Sequence, residues 1–188
     1  MQAAVLVQFS APLEVREVAE PACGPADAVV RVEACGVCRS DWHVWRGDWG
    51  WVGVRPRLPL VLGHEFAGVV EAVGDSVEGF RPGDRVTVPF RIACGRCELC
   101  RSGRSNLCPR RGVLGVDLDG AFARRVRVPE AEANLVRLPE AVDFVSAASL
   151  GCRYTTAYHA VANRAAVRPG EWVAVFGAGG VGLSAVQI

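Results

Sequence analysis

The sequence predicts a mainly β domain with short helices, followed by the first strand and helix of a nucleotide-binding βαβ unit. Three observations predict it. Val-rich runs bounded by Gly, Pro and Asp fill the chain as far as Pro129. Beyond Leu138 the texture changes to helix formers. Near the end, an apolar run leads into the glycine-rich "FGAGGVG".

In chain order, the predicted strands are Ala3 to Phe9, Val29 to Gly36, Phe66 to Gly74, Asp84 to Phe90 and Phe122 to Pro129. Pro12, Pro21, Pro25, Pro56, Pro59 and Pro82 fall between these runs, as turns require. The last run alternates apolar residues with arginine, the pattern of a half-exposed strand. Pro139 and Glu140 open a helix that Gly151 is expected to stop. Thr155 to Val167 reads as a second helix, Trp172 to Phe176 as a buried strand, and the residues beyond Gly182 as the start of another helix. The expected division is a first domain over 1–165, with a cysteine-rich lobe at about 94–108, and a second beginning over 166–188.

The chain has 188 residues, 51% hydrophobic and 22% charged, an ordinary globular composition able to bury a core. A net charge of +1 offers no electrostatic case for nucleic acid or an anionic membrane. All 21 basic side chains are arginine, singly or in pairs, which reads as gene composition rather than function. No apolar run approaches the ~20 residues that span a bilayer. The N-terminus lacks the basic and apolar regions of a signal peptide. A cytoplasmic protein is expected, in which eight cysteines read as metal ligands or catalytic groups rather than disulfides.

The strongest local signal is "CGRCELCRSGRSNLC", which spaces Cys94, Cys97, Cys100 and Cys108 as C-x2-C-x2-C-x7-C. Gaps of two let a loop wrap thiolates around one tetrahedral ion, and four thiolates leave no open position, so a structural zinc is expected. An iron–sulfur cluster is the competing reading; its fourth cysteine usually follows more closely than Cys108 does. A second set is dispersed: Cys38, His64 and Cys152. Two cysteines and a histidine with one position open are a catalytic zinc arrangement. Taken singly, the histidine reads as a loop or core residue and Cys152 as a small buried hydrophobe. Cys35 and Cys38 also spell a redox C-x-x-C without its usual context. The third signal is Gly177, Gly179 and Gly182, a G-x-G-x-x-G between an apolar strand and a helix. There the backbone approaches a pyrophosphate at the helix N-terminus.

With these motifs in order, the chain resembles the zinc-dependent alcohol dehydrogenases of the medium-chain dehydrogenase/reductase superfamily, in its N-terminal portion. "GHEFAGVVEAVG" matches that family's zinc signature, flanked by "CGVCRSDWH", the four-cysteine lobe, "GDRV" and "GAGGVG". The resemblance implies a GroES-like catalytic domain, a distorted antiparallel β-barrel, followed by the first β-α of a Rossmann fold. It implies that Cys38, His64 and Cys152 hold a catalytic zinc and that Cys94, Cys97, Cys100 and Cys108 hold a structural one, two ions per chain. Asp41 resembles the carboxylate that orients the ligand histidine, and Glu65 the acidic residue behind the zinc. Ser40 and His43 resemble a relay that carries the alcohol proton to solvent. Arg39 resembles a side chain that reaches the cofactor pyrophosphate, and Thr156 a contact on the nicotinamide side. The implied reaction interconverts a small-molecule alcohol with an aldehyde or ketone, using NAD or NADP, in a homo-oligomer at full length.

Other readings stand beside these. Ser40 and Asp41 would cap a helix starting at Trp42. His43 and Arg39 read equally as surface residues, and His159, Cys23 and Cys35 match no role. Trp42, Trp45, Trp49 and Trp51 read as core packing or as an apolar pocket wall. A polyol dehydrogenase shares the scaffold, but its third ligand is commonly Glu, so Cys152 favours the alcohol type. A zinc-free quinone reductase is disfavoured by Cys38, His64 and the lobe. A non-catalytic, zinc-stabilised fragment is the reading from a different class. With the chain stopping at Ile188, the 188 residues alone are expected to be inactive.

Overall fold

The computed structural model describes residues 1–110 and 112–188. Two antiparallel sheets form its body. The smaller has the order β2 (Glu14–Glu17), β1 (Gln2–Leu6), β4 (Leu60–Val61). The larger has the order β7 (Arg125–Val128), β3 (Ala28–Gly36), β5 (Glu65–Val73), β6 (Arg85–Thr87), β8 (Val136–Arg137). Each predicted strand as far as Pro129 is present in shortened or shifted form. β2, β4 and β8 were not foreseen; they are two to four residues long, too short for alternation to register.

The run predicted as one strand from Phe122 to Pro129 does two jobs. Its first residues bond to β1, with Ala4 N–H donating to Phe122 O at 2.8 Å and Arg124 N–H to Gln2 O at 3.2 Å. Its second half is β7, paired with β3 from Ala28↔Val128 to Arg31↔Arg125. One chain segment thus stitches the two sheets into a distorted barrel. The predicted alternation holds in β7, where Val126 and Val128 are buried and Arg125 and Arg127 face outward. The main core packs Phe66, Val30, Val70 and Val86 of the larger sheet with Ile92 and Leu114. A second core of Leu6, Val44, Leu60, Leu62 and Val116 seats the first helix, with Trp45 and Trp49 against it.

Helices α1 (Arg39–Arg46), α2 (Glu98–Arg101) and α3 (Ala131–Asn134) are short. The C-terminal helices differ from expectation. Helix α4 (Phe144–Ser149) does not stop at Gly151. It runs on through a π-helical turn (Leu150–Tyr154), α5 (Thr155–Tyr158) and a second π-helical stretch (His159–Arg164). Gly151 has another use: a Cβ there would sit 3.0 Å from the Cα of Glu65. The glycine serves helix–strand approach rather than termination. Ala147 and Ala148 pack on Ala67 of β5 for the same steric reason.

Asp143 starts α4, accepting from the Ser146 N–H at 2.9 Å and the Ser146 hydroxyl at 2.6 Å. The hydroxyl bond, then the backbone bond, holds its carboxyl below the ordinary value of 3.8. A depressed value means that the cap contributes fully above pH 3.8 and is lost as pH falls through the folded-state value. Thermal melts of the parent and Asp143→Ala are therefore expected to differ at neutral pH and to converge in acid. A gap that persists at low pH would mean that the ionised carboxylate is not the stabilising group.

The segment Trp172 to Phe176, predicted as a buried strand, is neither paired nor buried. Trp172 is fully exposed and Phe176 is 96% exposed. A strand buried on both faces needs hydrogen-bonded neighbours and covering helices, and among the described residues no strand pairs with it. After it come the glycine-rich turn and α6 (Gly180–Gln187). No helix among the described residues is long and apolar enough to cross a membrane.

Candidate metal and cofactor site

The β3–β5 ladder brings the first two candidate ligands, Cys38 and His64, together. Its last pairs are Cys35↔Phe66 and Gly36↔Glu65. Antiparallel pairing therefore places the exit of β3, which leads to Cys38, beside the entry of β5, which follows His64. Cys38 is the N-cap of α1. The third ligand arrives on the π-helical turn, where the contact of Gly151 with Glu65 sets Cys152 down over the same spot. The ligand atoms of Cys38, His64 and Cys152 all lie within 4.8 Å of one another.

Asp41 organises this cluster. It is buried at the third position of α1, not at the cap. Its Oδ2 accepts from the Cys38 N–H at 2.8 Å and its Oδ1 from the Gly63 N–H at 3.1 Å. His64 Nδ1 lies 3.1 Å from the same Oδ1, off the hydrogen-bond direction. With Nδ1 turned to Asp41, Nε2 is left to face the sulfurs. Burial opposes charge on His64, but Asp41 and Cys38 outweigh it and raise the imidazole to about 10. Cys38 is drawn down to about 3, first by the hydrogen bond from the Cys152 thiol. The same bond pushes Cys152 upward. A divalent ion held by both sulfurs would favour the thiolate form of each.

Glu65 lies behind the cluster, fully buried. Burial raises its carboxyl first, the Cys38 charge second, with Arg153 opposing. Its Oε1 accepts from the Arg153 N–H at 3.4 Å, and its Oε2 has no hydrogen bond, with the Arg153 guanidinium 3.7 Å away. Arg153 was not singled out from sequence; nothing local in "GCRYTT" ties it to a residue so far upstream.

The lobe cysteines gather independently, again within 4.8 Å. Cys97 Sγ lies 3.4 Å from Cys100 Sγ and 3.9 Å from Cys108 Sγ. A disulfide needs ~2.0 Å, whereas the edges of a tetrahedron with ~2.3 Å zinc–sulfur bonds measure about 3.8 Å. Backbone N–H groups support thiolates here. The Arg96 amide lowers Cys94 to about 6, and the Cys94 amide donates to Cys108 Sγ at 3.4 Å. Asn134 anchors the lobe to the barrel, exchanging bonds with Ala93 at 2.8 and 2.9 Å. The donor sets at both clusters fit zinc.

The remaining predicted residues lie around the first cluster. Ser40, on α1, turns its N–H and hydroxyl to the Cys38 sulfur. His43 is part-exposed on α1, and Arg39 lies over the Trp42 ring at 3.9 Å. Thr156 is exposed, one turn beyond Cys152. Gly177 has φ +104, a conformation only glycine adopts freely. A Cβ on Gly182 would meet Gly177 O at 1.9 Å, and Gly179 caps α6 with open space around it. A Cβ on Gly180 would sit 2.9 Å from Arg153 Cδ, so this turn rests against the residue next to Cys152. Of the tryptophans, Trp45 and Trp49 pack on the core, while Trp51 is 84% exposed. A cavity of about 800 Å³ lies elsewhere, between Met1, Pro59, Asp119 and Arg125. Donor chemistry, not cavity size, marks the site.

Residues 24–140 match the alcohol dehydrogenase GroES-like domain family. The chain belongs to that family. To an alcohol dehydrogenase of Geobacillus stearothermophilus it is 44% identical over 100% of this chain and 54% of that protein. The fold superposes on an alcohol dehydrogenase from Thermus sp. ATN1 with a TM-score of 0.91, at 43% identity over 100% of this chain and 54% of that one. A cobalt- and zinc-bound thermostable alcohol dehydrogenase from Pyrobaculum aerophilum gives 0.88 at 36% identity, over 100% of this chain and 55% of that one. The chain spans about half the length of the curated relatives it matches.

Proposed function

We propose that this chain is the metal-holding part of a zinc-dependent, NAD(P)-linked oxidoreductase that interconverts an alcohol with an aldehyde or ketone. The observation that carries the reading is the convergence of Cys38, His64 and Cys152, with Asp41 buried against the histidine. Two soft thiolates and an imidazole suit zinc, and three protein ligands leave a fourth position for substrate. When bound, the ion supplies Lewis acidity toward the alcohol oxygen and the nicotinamide supplies a hydride acceptor. The chain's own residues do the rest. Asp41 fixes the His64 ring, and Glu65 adds negative charge behind the cluster. Ser40 and His43 hold and pass the substrate proton. Arg39, Thr156 and the turn through Gly177, Gly179 and Gly182 bind the cofactor. The lobe holds the second zinc and stabilises its loop.

A cytoplasmic, homo-oligomeric enzyme acting on small molecules belongs to the same reading; six of the eight cysteines fall in the two ligand sets. For the 188 residues by themselves we propose no turnover. Exposed Trp172 and Phe176 support this, because an unpaired strand gives the glycine-rich turn no sheet to stand on.

Metal analysis tests the centre. Protein purified without chelator is expected to hold about two zinc equivalents. Chelation should remove the three-ligand ion first and the lobe ion only with loss of structure. One equivalent, or iron with visible absorbance, would overturn the scheme. In a protein of the relatives' length, alcohol should drive the reduction of NAD or NADP; a two-zinc protein that reduces neither would refute the activity alone.

A further inference from the structure

Helix α1 ends at Gly47, whose φ of +68 reverses the chain. A 3-10 turn (Asp48–Val52) follows at once. Residues five apart on a continuous helix point to different faces. Here the reversal folds Asp48 back onto His43, and His43 Nδ1 lies 3.0 Å from Asp48 Oδ1. Trp49, the next residue, stacks on the imidazole with centroids 5.3 Å apart and planes at 18°. Trp42 meets the ring edge-on at 5.0 Å. The ring is therefore held on three sides: a carboxylate at one nitrogen, an indole against its face and another at its edge. Gly47 permits this closure for a second reason, since a Cβ there would lie 2.9 Å from the Phe9 ring.

An imidazole that donates Nδ1–H to a fixed carboxylate presents its other nitrogen as an acceptor. The carboxylate also stabilises the imidazolium that forms when that acceptor takes a proton. Among the described residues no protein group hydrogen-bonds His43 Nε2. The ring is 31% exposed, so a proton taken up there has a way out to water. Besides Asp48, the charged side chains of α1 that flank the ring, Arg39 and Arg46, lie over the Trp42 ring, 3.9 and 5.0 Å from its centroid.

We propose that Asp48 is a positioning residue that fixes His43 as the Nδ1–H tautomer, leaving Nε2 as its basic nitrogen, with Trp49 locking the ring plane. Its use rests on the reading that His43 passes the substrate proton. A proton accepted at Nε2 gives an imidazolium paired with Asp48, and release of the same proton from Nε2 to water or a buffer base restores the starting ring.

The test does not need turnover. The chain has three histidines, so nitrogen-15 spectra of the zinc-loaded protein resolve each ring. At a pH where His43 is neutral, its Nδ1 is expected to carry the proton. In Asp48→Ala the ring is expected to shift mainly to the Nε2–H form that free imidazole prefers, while the exposed His159 does not change. Two retained zinc equivalents and an unshifted His64 signal check that the variant is folded. A wild-type His43 that is already mainly Nε2–H overturns the inference, without reference to any variant. So does an Asp48→Ala spectrum in which His43 stays Nδ1–H. If instead the tautomer behaves as expected but His43→Ala leaves the pH–rate profile of a longer, active protein unmoved, the relay reading fails and the Asp48–His43 pair stands.

Discussion

Replacing Cys152 with serine is expected to cost the chain one of its metal ions and leave the other, taking zinc from about two equivalents to about one. On the proposed reading the ion has three protein ligands, spread over β3's exit, β5's entry and the π-helical turn. A serine hydroxyl keeps the shape but not the soft, easily ionised donor that zinc selects. The lobe shares no ligand with it, because Cys94, Cys97, Cys100 and Cys108 form their own cluster. In a longer, active protein the same change is expected to abolish turnover. Cys35→Ser is the control: this thiol lies beside the cluster, with burial first among the causes that push it up to about 12, and it belongs to neither ligand set. Both ions should survive that change. A Cys152→Ser protein with two ions, or a Cys35→Ser protein with one, would sink the ligand assignment.

Gly68→Val is expected to be the most damaging change in the barrel. Gly68 sits in the middle of β5, paired with Val32 of β3 on one side and Val86 of β6 on the other. A Cβ would lie 2.0 Å from the Arg31 carbonyl oxygen and 2.9 Å from Val30 Cγ1. Backbone on both sides is tied into the sheet and cannot retreat without opening the ladder. That ladder also brings Cys38 to His64, so instability and loss of the three-ligand ion should appear together. A loss above about 4 kcal/mol is expected, a large share of a typical domain's net stability. Gly83→Ala separates crowding from backbone strain. Gly83 has φ +97 with open space around it, and its cost should stay near 1 kcal/mol. Urea melts measure both. A Gly68→Val midpoint close to the parent's would mean that β3 and β5 yield more readily than their register implies.

The sequence by itself determined what is local. The lobe was legible because Cys94, Cys97 and Cys100 recur at every third position, so the loop that carries them is the loop that folds around the ion. The Val-rich strands of the large sheet were legible because β-branched content between turn residues, and in β7 alternation, are properties of the run itself. The glycine-rich turn was legible for the same reason. Cys38, His64 and Cys152 were not legible as a set from spacing, and only a family resemblance joined them. Their meeting depends on β3–β5 register and on a helix that continues through Gly151, and neither is written near the ligands. Gly151 read as a stop because glycine commonly ends helices; its contact with Glu65 is a fact of packing. Trp172 to Phe176 read as buried because apolar runs usually are, but burial is supplied by neighbours and not by the run. Asp48 and His43 were both in view, and no helical or strand period joins residues five apart. The reversal at Gly47 joins them, and only the tertiary structure decides which side chain such a reversal brings home.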